Sequence, residues 1–218
     1  MPALCSIPAL LVILLLLLPH SCAPTTTPQT GATFSALLSS TEGDSPVPLK
    51  ITLPAATLSH TSTFSITTPV TLTCSTPSPP LTASSPTTAT SPCILSGLTT
   101  HTPLSILNTP AVNVTFLTIT AGKGVDSYGS GLLIFSSTAT FHQTTIHNNK
   151  GYMSTWGAGC YIKHSTVDFH QSKFTNNRMV SGTGNKGGAV YVDTGSVVNV
   201  VQCVIEENNA VYGGGICE

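Results

Sequence analysis

Charge is what this sequence has least of. Only 7% of its 218 residues are Asp, Glu, Lys or Arg, and the formal net charge is −1. That leaves no basic stripe for nucleic acid and no acidic tail. Arg178 is the single arginine, and aromatic residues make up only 6% of the chain. No CxxC pair occurs, and the cysteines and histidines are too scattered for a zinc site. The glycine clusters lack the GK[ST] ending of a phosphate loop, so no nucleotide or other cofactor is expected. One long apolar run exists, Ile7 to Leu18, and it is short for a bilayer span. With Pro19 breaking it and Ser21 and Ala23 placed for cleavage, residues 1–23 read as an export signal. Lipidation at Cys22 is the alternative, but Pro19, His20 and Ser21 fit such a site badly. The expected location is secreted or cell-surface, with outer-membrane association in a bacterium.

What the chain does have is Thr, Ser and 18 glycines. β-branched residues suit pleated strands, whereas long charged side chains favour helices, so this balance points to an all-β protein. An internal repeat then decides the architecture. Glycine signatures begin at Gly129 (GSGLLIF), Gly157 (GAGCYI), Gly187 (GGAVYV) and Gly213 (GGGIC), at intervals of 28, 30 and 26 residues. Their recurring glycines are Gly129 and Gly131, Gly157 and Gly159, Gly187 and Gly188, Gly213 and Gly214. An asparagine signature follows within each period: IHNN at Ile146, FTNN at Phe174 and IEENN at Ile205.

Period-2 segments lie between the signatures. Phe141, Phe169 and Val200 occupy matching positions, as do Thr144, Ser172 and Cys203, and then Ile146, Phe174 and Ile205. A unit of about three short strands cannot bury its apolar face alone and must stack on copies of itself. The expectation is a right-handed parallel β-helix with 26–30 residues per coil and these side chains forming interior ladders. The run ITLPAAT, SITTPVTLTCS and CILSG resembles an early coil pair of a pectin-lyase-like solenoid. An extra residue in the third unit is expected near Gly195. Weaker matches reach back through Val112, Val114, Phe116 and Ile119, and the segments from Leu49 and Phe64 also alternate. The chain therefore divides into the signal at 1–23, a leader or cap at 24–47, irregular coils at 48–128 and regular repeats at 129–218. A Ser/Thr/Pro-rich loop occupies 75–92. Cys74 and Cys93 flank that loop and are the expected disulfide in an oxidising compartment. Because Glu218 follows a fourth glycine signature directly, a longer parent protein is expected, and any membrane attachment would come from there.

Gly187-Gly188-Ala189-Val190 and Phe174-Thr175-Asn176-Asn177 resemble the alternating GGA[ILV] and FxxN repeats of the polymorphic membrane proteins of chlamydiae. The resemblance covers roughly residues 129–218. Elsewhere it departs: Gly213-Gly214-Gly215-Ile216 at one position, Gly157-Ala158-Gly159-Cys160 at more, and Ile146 and Ile205 replace the aromatic. The resemblance implies the exported passenger of an autotransporter acting in adhesion. Nothing here corresponds to the C-terminal barrel that anchors such passengers.

Several residues admit both a functional and a structural reading. Asn149, Asn177 and Asn208 could form a ligand-binding row. Stronger is the structural reading, in which Asn occupies a left-handed turn and its amide bonds the neighbouring coil. The glycines read as turn residues where φ is positive or coils approach closely. Asp126, Asp168, Asp193, Glu206 and Glu207 are the candidates for carbohydrate chemistry, which needs clustered carboxylates. In register no second carboxylate stacks on Asp168 or Asp193, and the adjacent Glu206 and Glu207 read as solvated turn residues, so no catalytic residue is expected. His142 and His170 should stack on one outer face. Tyr152, Trp156, Tyr161, Tyr191 and Tyr212 lie near the glycine turns, where an aromatic contact for carbohydrate or protein could form. Asn113 heads an Asn-Val-Thr sequon. The functional expectation is an adhesin or structural surface module whose receptor, a protein or a glycan, the sequence does not name. The alternative is part of a pectin-lyase-like carbohydrate-active enzyme with catalytic coils beyond Glu218.

Overall fold

A computed structural model describes residues 49–53, 57–59, 61–74, 93–124, 128–152, 155–180 and 184–218. The expected signal, leader and 75–92 loop, and Asp126, lie outside them. Strands that alternate apolar and polar residues cannot bury one face in isolation, and here they do so by stacking into three six-stranded sheets in which every pairing is parallel. Sheet I contains Leu49–Leu53, Val70–Cys74, Val112–Thr115, Thr138–His142, Thr166–His170 and Val197–Val201. Sheet II contains Thr57–Ser59, Cys93–Ser96, Leu117–Thr120, Thr145–His147, Lys173–Thr175 and Val204–Glu206. Sheet III contains Phe64–Ile66, Leu104–Leu107, Leu132–Phe135, Cys160–Lys163, Val190–Val192 and Ile216–Cys217. Each coil supplies one strand to every sheet in turn, and no helix occurs among the described residues. The chain is a parallel β-helix.

Equivalent residues meet one rung apart, about 4.8 Å, so a repeat in the sequence becomes a column in space. In sheet I, Leu72, Val114, Phe141, Phe169 and Val200 align. The Phe141 and Phe169 rings stack with centroids 4.9 Å apart. Sheet II aligns Leu95, Ile119, Ile146, Phe174 and Ile205. Sheet III carries an isoleucine column, Ile66, Ile106, Ile134 and Ile162, ending in Val192. These columns meet in one continuous core, and burying each such side chain contributes about 1.5–3 kcal/mol. Val200 and Ile205 were expected in the core but are only partly buried, because their rung is the last one described and nothing lies over it.

At most described corners the chain changes sheet through a residue with positive φ, and a small side chain such as Ser, Thr, Asn or Cys usually follows. Leu117 follows Phe116 instead, and the Ile66–Val70 corner has no positive φ. Between sheets I and II these left-handed residues are Phe116, Gln143, Gln171 and Gln202; between III and I, Asn108, Ser136, His164 and Gly195. After sheet II they are Asn148, Asn176 and Glu207. The left-handed turn thus falls on the residue before Asn149, Asn177 and Asn208, one position earlier than the sequence pattern suggests. Strands splay at a corner, so the next amide loses its backbone partner and takes a side-chain oxygen from the following coil. Thr109 N donates to Ser137 Oγ, Ser137 N to Ser165 Oγ, and Thr144 N to Ser172 Oγ, at 3.0–3.2 Å. In the last of these columns Ser172 N reaches Cys203 Sγ at 3.3 Å, a thiol standing where a hydroxyl stands in the coils before. The added residue near Gly195 is visible as a change of register, Ile162 pairing Val192 but Thr166 pairing Val197.

Cys74 and Cys93 form a disulfide across a sequence separation of 19, with Cα atoms 5.7 Å apart. Replacing both by Ala should lower unfolding stability by about 3 kcal/mol, since closure of a loop this size no longer restricts the unfolded chain. Urea titration with and without reductant measures it; identical midpoints would contradict the cross-link. Cys160 is a buried free thiol whose ionisation burial pushes up, while Cys203 and Cys217 are free and partly buried.

Candidate functional site

The corner after sheet II is the one that carries both sequence signatures, and they form a single device. Asn149 Nδ2 donates to Asn177 Oδ1 and Asn177 Nδ2 to Asn208 Oδ1, both at 2.9 Å. The same amides reach back to the preceding coil, Asn177 Nδ2 to Ile146 O and Asn208 Nδ2 to Phe174 O. Asn149 Oδ1 accepts from Gly122 N, the residue that takes the rung position one coil earlier. In the first two signatures the second glycine packs on this row. A Cβ at Gly131 would lie 2.5 Å from Asn149 Nδ2, and one at Gly159 3.1 Å from Asn177 Nδ2. In the other two the neighbours are backbone: Gly188 faces the Gly214 carbonyl and Asn209, and Gly214 faces the Asn208 carbonyl. The first glycines, Gly129, Gly157, Gly187 and Gly213, all have positive φ. The asparagines thus fix the corner, and the glycines let sheet III start directly against it.

An aromatic face is built on that frame. Tyr128, Trp156, Lys186 and Tyr212 bridge one another in register, immediately before the left-handed glycines. Beside them on the outside of sheet III stand Leu133, Tyr161, Tyr191 and Cys217. The rings interlock across the two columns: Tyr128 lies 4.6 Å from Tyr161, and Trp156 lies 5.3 Å from Tyr191. The Lys186 ammonium sits 5.9 Å from the Trp156 ring centre and 5.7 Å from that of Tyr191. Tyr161 and Tyr191 are buried beneath, while Tyr128 and Tyr212 are 42% and 54% exposed. At the edge, Tyr161 donates its hydroxyl hydrogen bond to Asp193, which also pairs with Lys163 at 3.2 Å. Burial and then the Asp193 bond push the Tyr161 hydroxyl's ionisation well up. Partial burial would raise the Asp193 carboxyl, but the bonds from Tyr161, the Thr194 amide and Lys163 outweigh it and hold it at about 2. The result is a rigid amphipathic platform with flat ring surface, a cation and a fixed carboxylate.

The other candidate residues lie apart from it. Asp168 accepts from Asn199 Nδ2 at 2.7 Å on the outside of sheet I, and Glu206 pairs with Lys173 at 2.7 Å on sheet II. Glu207 occupies a left-handed corner. His142 and His170 stack at 4.7 Å on sheet I. Asn113 is exposed in the outward row between Thr71 and Thr140. Tyr152 lies under the Lys123 ammonium, 5.2 Å from ring centre to nitrogen. Sequence pattern alone did not single out Tyr128 and Lys186 for the aromatic group, although both precede a glycine signature as Trp156 does. No protein-family model, curated protein or solved structure matches this chain.

Proposed function

We propose that the chain is a secreted or cell-surface binding module of the adhesin type, a stiff β-helical rod that engages a glycan or protein receptor. The supporting observation is the platform of Tyr128, Trp156, Lys186 and Tyr212 over Tyr161 and Tyr191. Rings already packed against each other lose little side-chain freedom when a ligand lands, so their area converts efficiently into affinity. Tyr and Trp also bring an apolar body together with a polar tip. Trp156 is the only tryptophan in the sequence, so selectively excited tryptophan fluorescence reports on this face alone. Titrating sugars and candidate receptor proteins should shift or quench its emission saturably. Measured by calorimetry, Trp156→Ala should weaken the same binding about 30-fold, as loss of a central aromatic anchor does, with the circular-dichroism spectrum unchanged. Unaltered affinity in that variant would remove the platform from the binding reaction. Shortening of a polysaccharide by the protein would favour a carbohydrate-active enzyme instead.

A further inference from the structure

Three of the seven basic residues stand in one column. Lys123 bridges Lys150, and Lys150 pairs in parallel register with Arg178, each directly after a rung of the Gly122, Asn149, Asn177 series. Their backbones are tied coil to coil: Lys150 N donates to Gly122 O and Arg178 N to Asn149 O, both at 2.9 Å. Alternation turns Asn149, Gly151, Asn177 and Met179 inward and leaves Lys150 and Arg178 exposed. Like charges opposite each other in a sheet destabilise it, and elsewhere this protein avoids that arrangement. Lys163 and Lys173 are each matched by a carboxylate from the following coil, Asp193 and Glu206. Among the described residues no carboxylate pairs with Lys123, Lys150 or Arg178. In a chain this poor in charge, a column of cations one rung apart with no carboxylate partner among the described residues is a feature that a ligand with regularly spaced anions would match.

We propose that this column binds a linear polyanionic glycan bearing sulfate or carboxylate groups along its length, an inference that rests on reading the chain as a binding module. Rungs about 4.8 Å apart offer one cation per step, an interval of the same order as successive sugars in an extended chain. Tyr152 beneath the Lys123 ammonium adds a ring face beside the charges. With three cations and a net charge of −1, the strip is too short to hold a nucleic-acid backbone by phosphate neutralisation, which draws on many contacts.

Immobilised protein is exposed to dextran sulfate, polygalacturonate, uncharged dextran and single-stranded DNA at low and high sodium chloride. One or both anionic glycans should bind, more weakly in high salt as screening dictates. The variant Lys123→Gln/Lys150→Gln/Arg178→Gln should bind about tenfold more weakly, from loss of three surface charge contacts. Lys150→Gln/Arg178→Gln, which changes only exposed positions, guards against misfolding and should show an intermediate loss. Comparing the two anionic glycans separates sulfate from carboxylate recognition. Undiminished binding by the triple variant, or preference for DNA, overturns the proposal. Binding of uncharged dextran alone also overturns it but leaves the binding module standing. Failure of every polysaccharide overturns it too, while the Trp156 titration against proteins still decides the broader reading.

Discussion

Asn177→Ala should destabilise the protein by about 3–5 kcal/mol, a large fraction of what holds a domain of this size together. The side chain is wholly buried. Its Oδ1 accepts from both Asn149 N and Asn149 Nδ2, and its Nδ2 donates to Ile146 O and Asn208 Oδ1. Alanine leaves the Asn149 amide and the Ile146 carbonyl buried without those partners, and each such group costs about 1–3 kcal/mol. Asn177→Asp keeps the acceptor, removes the donor and brings a buried charge, so it should be no better tolerated. Urea unfolding of the two variants measures this. A loss below about 1 kcal/mol, less than the cost of orphaning even one buried polar group, would mean that the amide row is incidental to the corner.

Phe169→Ala should cost a similar amount, about 3–5 kcal/mol, by opening a cavity that rigid neighbours cannot fill. Phe169 is stacked on Phe141 below and meets Phe174 edge-on at 5.0 Å, so it joins the core columns of sheets I and II. Val200 above it is only partly buried, and the corresponding Val200→Ala should be milder, about 0.5–1.5 kcal/mol. That gradient from the middle of the stack to its described end is measurable by the same unfolding titrations. Equal losses at the two positions would contradict a column that is closed in its middle and open at its last rung.

Repetition explains which parts of this architecture could be read from the sequence. In a stack, a position that faces the core in one coil faces it in the next, so Phe141, Phe169 and Val200 announce themselves by interval alone. Glycine and asparagine stand out because few residue types tolerate their backbone or amide roles. The Ser137, Ser165 and Ser196 column follows the same periodicity, yet a serine row carries no contrast in a Ser-rich chain. Ile134 and Ile162 are hidden for another reason: they sit in the glycine signature, whose contrast masks theirs. Of two adjacent asparagines, no pattern says which takes positive φ; the corner geometry assigns it to Asn148 and Asn176, freeing Asn149 and Asn177 for the amide row. The cation column was legible in principle, as NNK and NNR following the same signature. It escapes notice because Lys123 follows Gly122, so the first copy of the motif carries no asparagine.

The fold, the platform and the cation column all depend on like residues of successive coils lying directly over one another. Nuclear Overhauser contacts in selectively labelled protein test this most directly. The stacked arrangement requires cross-peaks between the rings of Phe141 and Phe169, 4.9 Å apart, and between the side-chain amides of Asn149 and Asn177, whose polar atoms are 2.9 Å apart. Sharp, assigned spectra with neither contact, or with sequential helical contacts in their place, would contradict the account.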